Sequence, residues 1–246
     1  MATKDLSKQV SATYQMLRRG LAVLAFGFPL ILPIGAYLIA GLPLAKSLSA
    51  YYHLSDPQHP ELLGVMRNEF VGILFGVSGF LLAYQGYSKL EDYALNAAGI
   101  LAIGVAIFPM AWPPVADDHT FSLHGACAIL FFVAIAYVCI FRAGDTLPLI
   151  KDETLRKKYK RMYQVLGWLM VLLPAAAWVL TVWRGGWEFY AEFAGIYVFA
   201  TYWVVKSREA SRTNLDQKAA RGSVRARPQG LGDALKTSPV STDEAV

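Results

Sequence analysis

The sequence predicts an all-α integral membrane bundle of about six transmembrane helices, with both termini in the cytoplasm. Three observations carry that expectation. Of 246 residues, 55% are hydrophobic and 17% charged, against about 25% charge in an ordinary soluble domain. The charge deficit is concentrated in long uncharged runs of roughly the 20 residues that a membrane crossing requires. Twenty of the 23 lysines and arginines fall on one side if the chain alternates sides six times, the asymmetry that orients membrane proteins.

The elements follow in order. Residues 1–19 are polar and end on Arg18 and Arg19, a cytoplasmic N-terminal segment. The first apolar run, 20–44, contains Pro29 and Pro33 and exceeds the 7–15 residues of a signal-peptide core, so it reads as a retained, kinked helix. A polar loop over 45–68 holds Ser49, His53, Asp56, His59 and Arg67. Further spans are expected at 69–87, 93–113, 120–142, 162–183 and 187–206, which makes 20–206 the transmembrane domain. Residues 143–161 form a basic inner loop, and Gly185-Gly186 a tight outer turn. From 207 to 246 the chain is polar, lacks apolar periodicity and is expected to be a disordered cytoplasmic tail.

In this arrangement only Lys46, Arg67 and Arg184 lie outside. The net charge of +5 is therefore topological and excludes a nucleic-acid reading. Lys157, Lys158, Lys160 and Arg161 act as topology determinants, with anionic-lipid contact as a further expectation. Trp112, Trp183 and Trp187 fall at outer ends, and Tyr87, Tyr93, Tyr163, Tyr202 and Trp203 at inner ends, as interfacial belts do. Cys127 and Cys139 lie twelve residues apart on one run, about 18 Å along a helix, too far for a disulfide. Gly72-x-x-x-Gly76, Gly79-x-x-x-Ala83, Ala98-x-x-x-Ala102-x-x-x-Ala106 and Ala191-x-x-x-Gly195 give small faces for close helix packing.

Polar residues at membrane depth are candidate sites, and here they gather at the outer face: Ser49, His53, Arg67, Glu69, His119, His124, Glu188 and Glu192. Glu188 and Glu192 share one face of the sixth helix start, with Arg67 as the expected counter-charge. Ser49 and His53, joined by His119 or His124, supply the inventory of a zinc site with one open position. His119 and His124 are about 140° apart on a regular helix, so both reach one ion only if His119 lies in the preceding loop. No phosphate-binding glycine loop, nucleophile elbow or His-Glu-x-x-His helix is present.

Ser49-x-x-x-His53 and the later histidines are similar to the alkaline ceramidase and progestin-receptor group of membrane metal hydrolases. That resemblance implies a zinc site and a lipid amide or ester substrate. The chain departs from the group's pattern in the His119–His124 spacing, in placing its histidines before the last two helices, and in Asn68 near the expected aspartate. Over about 45–206, the runs Ser49-Ala-Tyr-Tyr-His53, Met66-Arg-Asn-Glu-Phe-Val-Gly72, Tyr84-Gln-Gly-Tyr87 and Ala102-Ile-Gly-Val-Ala-Ile-Phe-Pro109 resemble an uncharacterised bacterial multi-pass family. In that family the position of His53 is often tyrosine, which implies that His53 is no essential ligand. The resemblance points to the bacterial inner membrane.

The reading that results is a multi-pass inner-membrane protein, non-enzymatic, with a structural, sensory or partner-binding role and no cofactor. One alternative is a metal-dependent lipid hydrolase at the outer face, its zinc candidates being His53, His119 and His124. The other is a small-solute or proton transporter, which the lack of ionisable residues in the central and inner helix halves disfavours.

Overall fold

Short polar side chains start the helices where the apolar runs begin. The Ser88 hydroxyl accepts from Glu91 N at 3.3 Å, Ser122 Oγ from Gly125 N at 3.0 Å, and Asp152 Oδ1 from the backbone of Thr154 and Leu155. Each satisfies an amide that a helix start leaves open. The protein, a computed structural model, is described over residues 6–54, 64–110, 122–184, 188–222, 224–226 and 240–242. Its helices are α1 (Leu6–Ala40), α2 (Val65–Ala83), α3 (Lys89–Ile107), α4 (Leu123–Tyr137), α5 (Glu153–Arg184), α6 (Glu188–Thr213) and the short α7 (Leu215–Ala220). A 3-10 turn covers Ser49–Tyr52; α4 runs on through a π segment, Val138–Arg142, and a 3-10 stretch, Ala143–Leu149. Two strands, β1 (Val224–Ala226) and β2 (Val240–Thr242), pair antiparallel.

The all-helical membrane class is borne out at this level. Four helical segments among the described residues are long and apolar enough to cross a membrane: Leu6–Ile39, Val65–Ala83, Lys89–Ile107 and Leu123–Leu149. Consecutive helices from α1 to α6 pack on one another, and α6 returns to α1. Leu21, Leu81, Leu95, Ile135, Met170 and Trp203 are buried in one core cluster. Leu32, Tyr51 and Phe70 belong to a second, toward the C-terminal end of α1. Large apolar side chains such as Val23, Leu38, Ile100, Ile129 and Leu172 face outward, the surface that hydrocarbon would cover.

The helix ends differ from the expected bounds for identifiable reasons. α1 begins at Leu6, not near 20, because Ser7, Ser11 and Arg18 recur at helical spacing and are buried; apolar runs do not register such a polar stripe. α5 begins at Glu153, so the second half of the basic segment expected as a loop, 153–161, is a surface helical stretch carrying one buried side chain, Tyr159. The expected disordered tail begins instead as ordered chain. α6 continues to Thr213, Asn214 turns through φ 50°, and α7 packs against α1. Tyr163, Tyr202 and Trp203, expected in an interfacial belt, are buried.

The small-residue faces divide unevenly. Ala98, Ala102 and Ala106 are all buried. Gly76 meets Leu24 of α1, whereas Gly72 and Gly79 face open space. The tightest approach is one the motifs did not mark: a methyl group at Gly167 of α5 would overlap Ile140 and lie 3.0 Å from Cys139 Cβ. Gly167→Val should therefore cost about 1–3 kcal/mol by overpacking. Thermal unfolding in detergent measures it, and an unchanged midpoint would mean that α5 does not press on the π segment.

Candidate functional site

Polar side chains concentrate at the two ends of the bundle. At one end stand Ser49, His124 and Glu192, three of the residues singled out from sequence. His124 Nδ1 lies 2.8 Å from the Phe108 carbonyl and 3.1 Å from that of Val105. Carbonyls only accept, so Nδ1 carries a proton, and in the neutral ring Nε2 is then an acceptor. Ser49 Oγ, 2.9 Å from Nε2, donates to it. Glu192 accepts from Leu48 N at 2.5 Å and stands 3.5 Å from Ser49 Oγ. These contacts share a logic: His124 closes the open carbonyls at the end of α3, and Glu192 closes an amide entering the 3-10 turn. His53 Nε2 contacts the Met110 carbonyl at 2.9 Å.

The other candidates are not brought into this cluster. Arg67 is exposed and lies over the Tyr52 ring, 5.9 Å from its centroid. Glu69 is exposed and Glu188 half-buried. Among the described residues no ion pair joins Arg67 to Glu188 or Glu192, so the expected counter-charge is replaced by backbone amides. His119, Asp56, His59, Asp117, Asp118 and Trp112 lie outside the described residues. Among the described residues no group of three or more His, Cys, Asp or Glu is placed to hold a metal ion.

Behind Ser49 and Glu192 is a cavity of about 100 Å³ among α1, α2, α3, α4 and α6. Phe28, Phe70, Val77, Ala102 and Phe199 line it, and Ser49 and Glu192 are its polar edge. It is well below the 300–1,000 Å³ typical of small-molecule sites.

The opposite end holds what the sequence reading missed. Arg18, Glu91, Arg142, Asp145, Lys206, Glu209 and Asp216 are all buried there. Arg18 meets Asp216 through its two terminal guanidinium nitrogens, at 3.0 and 2.5 Å. The Tyr87 hydroxyl donates a hydrogen bond to Asp216 Oδ1 at 2.6 Å. Lys206 Nζ uses its three protons on Thr146 Oγ1 at 2.8 Å, Glu209 Oε2 at 3.0 Å and the Ala143 carbonyl at 3.3 Å. Glu209 accepts as well from Thr146 and Tyr163. Arg142 faces Asp145 at 3.6 Å, and Glu91 accepts from Tyr87 N at 2.8 Å. α1, α3, α5, α6 and α7, with the π and 3-10 stretches after α4, each contribute to this cluster.

At this end of the bundle, ionisable residues at or beyond the bounds of the expected spans are buried. These charges sit just past the apolar runs, where a sequence reading assigns them to loops. A usable signal was present: Arg142-x-x-Asp145 and Lys206-x-x-Glu209 set opposite charges three apart on one helical face, at the ends of apolar runs. Nothing local marks Asp216 as the partner of Arg18.

On the same end, Arg156, Lys157 and Lys160 line a groove of about 500 Å³ between α5 and the chain after α4. Lys157 also pairs with Glu153 at 2.8 Å on the exposed face. Lys158 and Arg161 are exposed on the same helix.

Comparison with protein-family models, curated proteins and solved structures found no match.

Because Arg18 and Asp216 are both buried, removing one leaves an uncompensated charge, at a cost of about 3–5 kcal/mol. Asp216→Ala should lower stability by that amount in detergent unfolding. Adding Arg18→Met should recover part of it, since an apolar pair of similar volume needs no solvation. A double variant no more stable than the single one would show that Arg18 is held by Tyr84 and Tyr87 instead.

Proposed function

We propose that the chain is a non-enzymatic, six-span protein of the bacterial inner membrane, with both termini in the cytoplasm and a structural, sensory or partner-binding role. The four apolar segments and the lysine and arginine asymmetry of the sequence support the topology. The ionic cluster stands at the end that this topology puts inside, and the Ser49–His124–Glu192 cluster at the end it puts outside.

One observation carries the non-enzymatic reading. Ser49, His124 and Glu192 are engaged with one another and with backbone groups at helix and turn ends. The Leu48 amide, a donor that could stabilise an oxyanion beside Ser49, is already engaged by Glu192. No cofactor is invoked. The basic face carrying Lys157, Lys158, Lys160 and Arg161 supports contact with anionic lipid.

A second reading rests on the same serine. A hydroxyl 2.9 Å from a neutral imidazole nitrogen, with the ring's other nitrogen fixed by carbonyls, is the arrangement of a nucleophile and its base. Ser49 edges an apolar cavity, which fits attack on a lipid ester or amide. The metal-dependent form of this reading requires His119 to join His53 and His124.

The two readings separate on purified protein. The structural role predicts that Ser49→Ala lowers unfolding free energy by about 1–2 kcal/mol, with no bound zinc and no Ser49-dependent hydrolysis of short- or long-chain esters. Near-stoichiometric zinc lost in His53→Ala/His124→Ala, or hydrolysis abolished by Ser49→Ala, would replace it with the hydrolase reading.

A further inference from the structure

Arg18 and Arg19 are adjacent but differently placed. Arg18 is buried against Asp216, whereas Arg19 is exposed. Arg19 lines a groove of about 500 Å³ between α1 and α6 together with Arg208 and Arg212. Arg208 and Arg212 are four apart on α6, so they lie on one face, and both are exposed. Among the described residues, none of these three arginines forms an ion pair with a carboxylate. The hydroxyl-bearing Ser207 and Ser211 line the same groove, again four apart.

The groove changes character along its length. Its other walls are Arg18, already neutralised by Asp216, and the apolar Ala22, Trp203 and Val204. In sequence, Arg19 immediately precedes the first apolar run and Arg208 and Arg212 follow the last one. Three cations lining one groove repel one another, and an anion among them relieves that repulsion. Guanidinium forks match phosphate oxygens in pairs. A soluble phosphate would use the cationic rim and leave the apolar wall without a partner. A phospholipid uses both.

We propose that this groove binds the phosphate headgroup of an anionic phospholipid of the cytoplasmic leaflet. Arg19, Arg208 and Arg212 hold the phosphate, Ser207 and Ser211 donate to it, and the first carbons of the acyl chains lie along Ala22 and Val204. The assignment to that leaflet rests on the topology proposed above; the chemistry of the groove does not.

The test uses the full chain in neutral detergent with Lys157, Lys158, Lys160 and Arg161 replaced by alanine, so that the α1/α6 groove is the basic face under study. Phosphatidylglycerol, phosphatidylcholine and inorganic phosphate are titrated, with binding read by thermal shift and native mass spectrometry. Phosphatidylglycerol should bind about tenfold or more tightly than phosphatidylcholine. Replacing Arg19, Arg208 and Arg212 by alanine should weaken it about a hundredfold and leave the unliganded melting temperature in place. Replacing the same three by lysine keeps the charge, removes the forks and should cost about tenfold. Unchanged binding in the alanine variant, equal binding of the two lipids, or full affinity in the lysine variant would overturn the site. Inorganic phosphate competing at the concentration of the lipid would show a free-phosphate site and overturn the lipid. Separately, Ser211→Cys in a Cys127→Ala chain should react with an impermeant maleimide only in inside-out vesicles. Reaction from the outer side would overturn the topology and the leaflet while leaving detergent binding as measured.

Discussion

A guanidinium inside a packed helical bundle has no water to turn to, and the ion pair between Arg18 and Asp216 is what permits Arg18 to be where it is. A buried charge without a partner is untenable in a protein interior, and in hydrocarbon the constraint is stricter. The consequences spread outward. To reach Arg18, the chain after α6 turns back at Asn214 and lays α7 against α1. The pair is completed by Tyr84 and Tyr87 at the end of α2. Next to it, Lys206 and Glu209 draw in Thr146 and Tyr163. One end of the bundle is thereby fixed by directional bonds, while its middle is held by non-directional apolar packing.

The opposite end is fixed more lightly and by a different device. There, neutral or singly charged side chains complete backbone groups that helix ends expose: His124 on the carbonyls of α3, Glu192 on an amide before the 3-10 turn. The device leaves the serine and histidine in a geometry that catalysis also uses. The small size of the apolar space behind Ser49 and the engaged Leu48 amide weigh toward architecture.

How much of this was legible in the sequence depended on the range of the interaction. Apolar runs are local, so the helices of the membrane class could be placed from composition, and four of them meet the length and hydropathy that a crossing needs. Their ends were less legible. The polar stripe of Ser7, Ser11 and Arg18 has helical spacing, but it reads as solvated chain until its cover, α7, is known. The candidate site was legible in part. Ser49, His124 and Glu192 stood out as polar groups beside apolar runs and do come together. Arg67 stood out equally and lies elsewhere, because charge complementarity alone does not say which neighbour a helix presents. The ionic cluster was illegible as a unit: its members come from five helices and the chain after α4, and each taken singly resembles an interfacial charge.

The separation of Arg18 from its carboxylate has a consequence in time. Asp216 follows Arg18 by 198 residues. At about 5–20 residues per second, a ribosome needs roughly 10–40 s to make that stretch. For most of that interval α1 is complete and its arginine has no Asp216. The nascent chain must keep Arg18 in the headgroup region or in water, and can draw it into the bundle only once α7 has emerged. The last helix to be translated, α7, is therefore the one that seals the first, and a prematurely terminated chain carries an unmatched arginine by which a membrane quality-control system could recognise it.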